Sequence, residues 1–146
     1  MARRLGDELN EMRFQDNLSG SEIILLYRMP TTKERIDYTN ESFVREGKKM
    51  VNRSVETRFK YGMEILGGFR EGDFEINKSG EEYVPISSDP TSDNFFPGWK
   101  AHIKKYASDL VEHLAIRVFD IPVQVPEEKE ENKKVGSPED EEEDLG

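Results

Sequence analysis

Few residues of this chain have the type and spacing that chemistry needs, and structure accounts for each set more simply. His102 and His113 are the only histidines. They stand eleven apart on what periodicity predicts as one helix, about three turns or 16 Å from each other, so they cannot share a metal within it. Glu71-Gly72-Asp73 and Asp89 to Asp93 place carboxylates in loops, where such groups suit Mg or Ca, but neither has the spacing of a calcium loop and turn capping explains both. Ser87 and Ser88 have no neighbouring base and no nucleophile-elbow pattern. Gly62, Gly67, Gly68 and Gly72 lack the lysine and Ser/Thr that complete a phosphate loop. The absence of cysteine excludes disulfides and thiolate metal sites. No catalytic residue, cofactor-binding residue or metal ligand is assigned, and the expected class is non-enzymatic.

The residues left for function are cationic. Arg45, Lys48, Lys49, Arg53, Arg58 and Lys60 give six positive charges against Glu46 and Glu56, a net +4 over residues 45 to 60. The plain account is a solvated helix face. The functional account is a dock for an acidic segment, either this chain's own tail or a partner. Aromatic interleaving is slight, which makes nucleic acid an improbable ligand.

Charge supports the second account. The net charge of −10 is carried by the end of the chain: Val125 to Gly146 holds ten acids and three bases, leaving −3 for residues 1 to 124. A nearly neutral body has no general attraction for nucleic acid, and the tail repels it. Rich in Pro, Glu and Lys, this tail is predicted to be disordered and to cover the 45 to 60 stripe through salt-screened contacts. Only 34% of residues are hydrophobic while 36% are charged, which predicts a small core and allows a homo-oligomer. The longest apolar run, Ile23 to Tyr27, is far short of the roughly 20 residues that span a bilayer, and no secretory signal is read, so a cytoplasmic protein is expected.

The elements that must position these residues are read as an α+β fold, predominantly helical, with two long amphipathic helices, a small strand or hairpin element and the acidic tail. Three regions follow: 1–21 as an N-terminal arm or short helix, with Leu5, Leu9 and Met12 at helical spacing; 22–124 as one helix-rich domain; and 125–146 as the tail. Glu22 to Met29 favours a strand. After Pro30, Thr31 and Glu34 have the spacing of a capping box. From Thr31 to Phe69, apolar or small residues recur at Ile36, Phe43, Val44, Gly47, Val51, Val55, Phe59, Gly62, Leu66 and Phe69, which predicts one long helix or two joined near Gly47. Gly47 either ends a first helix in the left-handed conformation or lets another backbone approach. Asn77 to Gly80 reads as the turn of a hairpin within 73 to 86. Gly98 to Phe119 reads as the second helix. The expected core includes Ile36, Val51, Val55, Phe59, Leu66, Trp99, Ile103, Leu110 and Leu114, and Val55→Asp should then cost several kcal/mol.

Arg28 to Tyr38 (RMPTTKERIDY), Arg45 to Lys49 (REGKK), Gly67 to Asp73 (GGFREGD) and the Trp99 helix together resemble small proteins of tailed-bacteriophage structural modules, nearest in type to the tail assembly chaperone. The likeness covers about residues 22 to 120, and the hairpin-like insert at 73 to 86 departs from it. It implies a mainly helical, non-enzymatic protein that binds the tape-measure protein or tail-tube subunits during assembly, often with a frameshift-extended longer form. The alternative is a small regulatory or nucleic-acid-associated protein that uses the 45 to 60 stripe.

Overall fold

The computed structural model describes residues 2–80 and 82–125. The tail expected to be disordered lies almost wholly outside the described residues.

Asn10–Gln15 (β1) alternates, with Met12 and Phe14 turned toward the core and Glu11, Arg13 and Gln15 toward solvent. That period of two belongs to a strand, not to the short helix expected from Leu5, Leu9 and Met12. The turn that follows is held by Asp16, whose carboxylate accepts from the Ser19 hydroxyl at 2.6 Å and the Ser19 amide at 3.1 Å. Those bonds favour the ionised carboxylate and lower its pKa. Glu22–Tyr27 (β2) returns antiparallel, with Phe14 opposite Ile23 and Met12 opposite Leu25. On its other side pairs Leu66–Phe69 (β5), giving the order β1-β2-β5. β2 is central in its sheet, and Ile23 and Leu25 share the core with Ile103, Leu110 and Leu114 of the later helices while Ile24, on the other face, is buried as well.

Thr32–Ser42 (α1) starts where the sequence predicts. Thr31 Oγ1 accepts from the Glu34 amide at 3.1 Å, and Glu34 accepts from the Thr31 amide at 2.9 Å. The same carboxylate takes two hydrogen bonds from Arg28, at 2.8 and 2.7 Å, and this guanidinium draws its pKa down to about 2.

Beyond Ser42 the predicted helical segment is overturned. The chain forms a hairpin of Phe43–Glu46 (β3) and Lys49–Asn52 (β4), then Ser54–Ile65 (α2). Gly47, with φ at +66°, makes the hairpin turn, so neither role expected of it inside a helical segment applies. The reason for the misreading is arithmetic. Val44 and Val51 lie seven apart, which is two helical turns, but across a two-residue turn the same separation makes them direct cross-strand partners.

The buried face of α2 also differs. It runs through Thr57, Tyr61, Gly62 and Ile65, about a quarter-turn from the expected line, so Val55 is 52% exposed; Ile36 on α1 is 55% exposed. Of the expected core, Leu66, Ile103, Leu110 and Leu114 are buried and Phe59 and Trp99 partly so, whereas Val51 is half-buried on the hairpin.

Glu75–Asn77 (β6) and Tyr83–Pro85 (β7) form the hairpin predicted within 73 to 86. The long second helix is replaced by Trp99–Tyr106 (α3), a break at Ala107, Ser108–Ala115 (α4) and a π-helical turn over Ile116–Asp120. The break re-aims α4 at α2. A Cβ placed on Gly62 would lie 2.7 Å from Val111 Cγ1 and 2.8 Å from the Val111 carbonyl oxygen, so these two helices meet backbone to backbone. Four helices of eight to twelve residues and three small antiparallel sheets among the described residues make the fold a mixed α+β one, not a predominantly helical one with two long helices. Among the same residues no helix is long and apolar enough to cross a membrane.

Candidate interaction surfaces

The β3–β4 hairpin stands out from the body as an arm. Four-residue strands rising about 3.3 Å per residue make it roughly 13 Å long. Its base is closed by the Arg53 amide donating to the Ser42 carbonyl at 2.7 Å, and by Arg53 paired with Glu46 and Glu56. Pairing puts Phe43, Arg45, Met50 and Asn52 on one face and Val44, Glu46, Lys49 and Val51 on the other. On the first face Phe43 is 54% exposed and Met50 58%. A two-stranded hairpin presenting an aromatic ring, a thioether and a guanidinium to water buries little that stabilises it by itself, and those residue types are enriched where proteins meet.

The six cationic residues of the sequence are divided by the fold. Arg45, Lys48 and Lys49 lie on the arm and make no ion pair among the described residues. Arg53 is tied at the base. Lys60 pairs with Glu41 at 2.9 Å. Arg58, half-buried, reaches Glu112 at 3.3 Å and Asp120 at 3.5 Å, its Nε buried without a hydrogen bond.

Arg58 belongs to a lock that joins α1, α2 and the π-helical turn. The Tyr38 ring stacks on Phe119 at 4.3 Å, and both meet Tyr61 edge-on. The Tyr38 hydroxyl donates to Asp120 at 3.1 Å and that of Tyr61 to Glu41 at 2.8 Å. Burial, then the adjoining carboxylate, pushes both phenols up to about 12. A phenol that holds its proton so tightly is no base at neutral pH. This cluster fixes where the helices sit.

A cleft of about 1070 Å³ opens between the β1–β2 turn, the β6–β7 hairpin and the junction of α3 with α4. Ile23, Ile86, Ile103 and Leu110 form its apolar floor. His102, half-buried, stands at its wall with its ring edge-on to Phe96 at 4.9 Å, while His113 is exposed on a different helix. Asp73, Ser88 and Asp89, among the loop residues considered for chemistry, have structural partners. Asp73 accepts from the Ile24 amide at 2.8 Å and pairs with Arg70 at 3.0 Å. Asp89 accepts from the Thr91 amide at 2.9 Å, and Ser88 Oγ accepts from the Phe69 amide at 3.0 Å. Among the described residues no group of three or more His, Asp or Glu stands together as a metal site.

Sequence reasoning missed both the arm and the cleft. The arm had a faint signal: two short runs with β-favouring residues, FVRE and KMVN, flank the glycine-bearing pair Gly47-Lys48, although neither alternates apolar with polar. The cleft had none, because its walls come from segments nearly a hundred residues apart. No protein-family model, curated protein or solved structure matches the chain.

Proposed function

We propose that this chain is a non-enzymatic assembly factor of the tailed-phage type, acting in the cytoplasm of the host cell, and that it holds an apolar segment of a viral structural partner of the tape-measure or tail-tube kind. The observation that supports this reading is the arm: Phe43 and Met50 are more than half exposed on one face of the hairpin, with Arg45 beside them and Lys48 at the turn. What marks an interaction site is a contiguous apolar patch with a polar rim, and Phe43 and Met50 are diagonal neighbours on one face of the hairpin, between Arg45 and Asn52. Partner binding would bury what remains exposed of the two side chains, about 1 kcal/mol each.

The test is a titration of the chain with the tape-measure or tail-tube protein of the same genome. Phe43→Ser with Met50→Ser should weaken binding about 30-fold, the equivalent of about 2 kcal/mol. The wild-type affinity should change little between low and high salt, since apolar burial is not screened. An unaltered affinity in the double variant would remove the arm from this role. Tight oligonucleotide binding that falls steeply with salt would favour instead a nucleic-acid function for Arg45, Lys48 and Lys49.

A further inference from the structure

From the match between the arm and the cleft we infer that a second copy of this chain is a partner: the β3–β4 arm of one molecule seats in the cleft of the next. This rests on the reading of the arm as a binding element and names what it binds before any other partner arrives.

Charge and polarity are complementary. The cleft is lined by Asp16, Asp73, Glu75 and Asp109 and by no lysine or arginine. Asp73 is paired with Arg70, which leaves Asp16, Glu75 and Asp109 without an ion-pair partner among the described residues. Lys105 does not line the cleft, but its Nζ lies 5.2 Å over the ring of Tyr106, which does, so one cation stands at the rim. Three acids around an apolar floor thus face three cations that make no ion pair among the described residues: Arg45 on the face of Phe43 and Met50, Lys48 at the turn and Lys49 on the opposite face, where the walls of a cleft would meet an inserted arm. Bringing the two together desolvates the apolar side chains and supplies the cations with counter-charges.

The contact cannot be made within one molecule as it is folded, because no residue of β3, β4 or the turn between them lines the cleft. It is also not self-complementary. Arm and cleft are different surfaces, so association is head-to-tail and closes into a ring or runs on as a filament, according to the rotation between neighbours. The arm is then covered in the oligomer, and a viral partner must compete with the cleft for Phe43 and Met50.

Charge exchange tests the pairing. The size of the full-length protein is measured by sedimentation over a range of concentrations at low and high salt. One variant reverses the arm, Lys48→Glu with Lys49→Glu; the other reverses the cleft, Glu75→Lys with Asp109→Lys. Melting curves check that both remain folded, since all four side chains are exposed. Each variant alone should self-associate at least about fivefold more weakly than wild type, the scale of an exposed ion pair. Mixed together they should associate again, because the acidic arm of the first meets the basic cleft of the second and its acidic cleft meets the second's basic arm. A wild type that stays monomeric at every concentration, or a mixture no larger than either variant alone, overturns the inference. If in that case Phe43→Ser with Met50→Ser still weakens binding to the viral partner, the arm keeps its proposed function and only the arm-in-cleft pairing is lost.

Discussion

Gly62→Ala separates a local effect from a tertiary one, because the two have opposite signs. Alanine is favoured over glycine in a helix interior by about 1 kcal/mol, and Gly62 lies inside α2. The new methyl, however, would stand 2.7 Å from Val111 Cγ1 and 2.8 Å from the Val111 carbonyl oxygen. The first neighbour can yield a little. The second is backbone of α4, so the helices must part by about 0.6 Å to regain the 3.4 Å of ordinary contact. Ile65 and Leu114, both fully buried, lose packing when they do. Overpacking of this kind costs about 1–3 kcal/mol. The net result is destabilisation of up to about 2 kcal/mol, a fall of up to roughly 8 °C in Tm for a domain of this size. Thermal melting and urea unfolding measure it, and the urea slope should not change. In a cycle with Val111→Ala, removing Cγ1 should recover part of the cost and leave the share due to the carbonyl. A Gly62→Ala protein that melts several degrees above wild type would mean that helix propensity acts unopposed, and the close approach of α2 to α4 would be refuted.

Two further outcomes follow from burial and from charge. Val55→Asp should change stability by no more than about 0.5 kcal/mol, because Val55 is 52% exposed and sits in the first turn of α2, where a carboxylate meets the positive end of the helix dipole; Leu114→Asp, at a fully buried position, should instead prevent stable folding. Equal loss of melting temperature in the two variants would contradict the assigned face of α2. Glu34 has a folded pKa of about 2, below its unfolded value of 4.5, so the stability it contributes is present above pH 4.5 and is lost as the pH falls toward 2. The shift corresponds to about 3 kcal/mol at most, and screening at Arg28, a third exposed, brings this to about 1–2 kcal/mol. Glu34→Gln should therefore be less stable than wild type at pH 7 and converge with it near pH 2, as urea midpoints against pH will show; parallel profiles would rule out the Arg28 pairing.

The proposals concern what the molecule meets, and they divide the charged residues differently from the sequence. Arg58 ties α2 to Glu112 and Asp120, Lys60 pairs with Glu41 and Arg53 with Glu46 and Glu56, while Arg45, Lys48 and Lys49 make no ion pair among the described residues. Replacing the three paired cations should therefore disturb stability before association, and replacing the other three the reverse.

What the sequence determined by itself was local. Thr31 and Glu34 satisfy each other's backbone amides across three residues, Ile23 to Leu25 form an apolar run fit for a covered strand, and the loop of Asn77 to Gly80 turns a hairpin whose Gly80 amide donates to the Asn77 side chain at 2.6 Å. Each depends on groups within a few residues of one another, so the pattern and its cause lie together in the chain. Where one pattern serves two structures, only tertiary contact chose between them. The seven-residue step from Val44 to Val51 fits two helical turns as well as a cross-strand pair, and in the fold it is the latter, in a ladder that runs from Glu46 and Lys49 back to the Arg53 amide and the Ser42 carbonyl. The apolar period from Trp99 to Val118 does not register the break at Ala107, which turns α4 so that Val111 can meet Gly62. Which side of α2 is buried was likewise set by that meeting and by the Tyr38, Tyr61 and Phe119 rings, drawn from three distant segments. The cleft lies furthest from the sequence's reach. Its floor joins Ile23 to Leu110, and its acids become one surface only when the two hairpins and the two helices have packed, since a field of charges depends on distances through space that spacing along the chain does not encode.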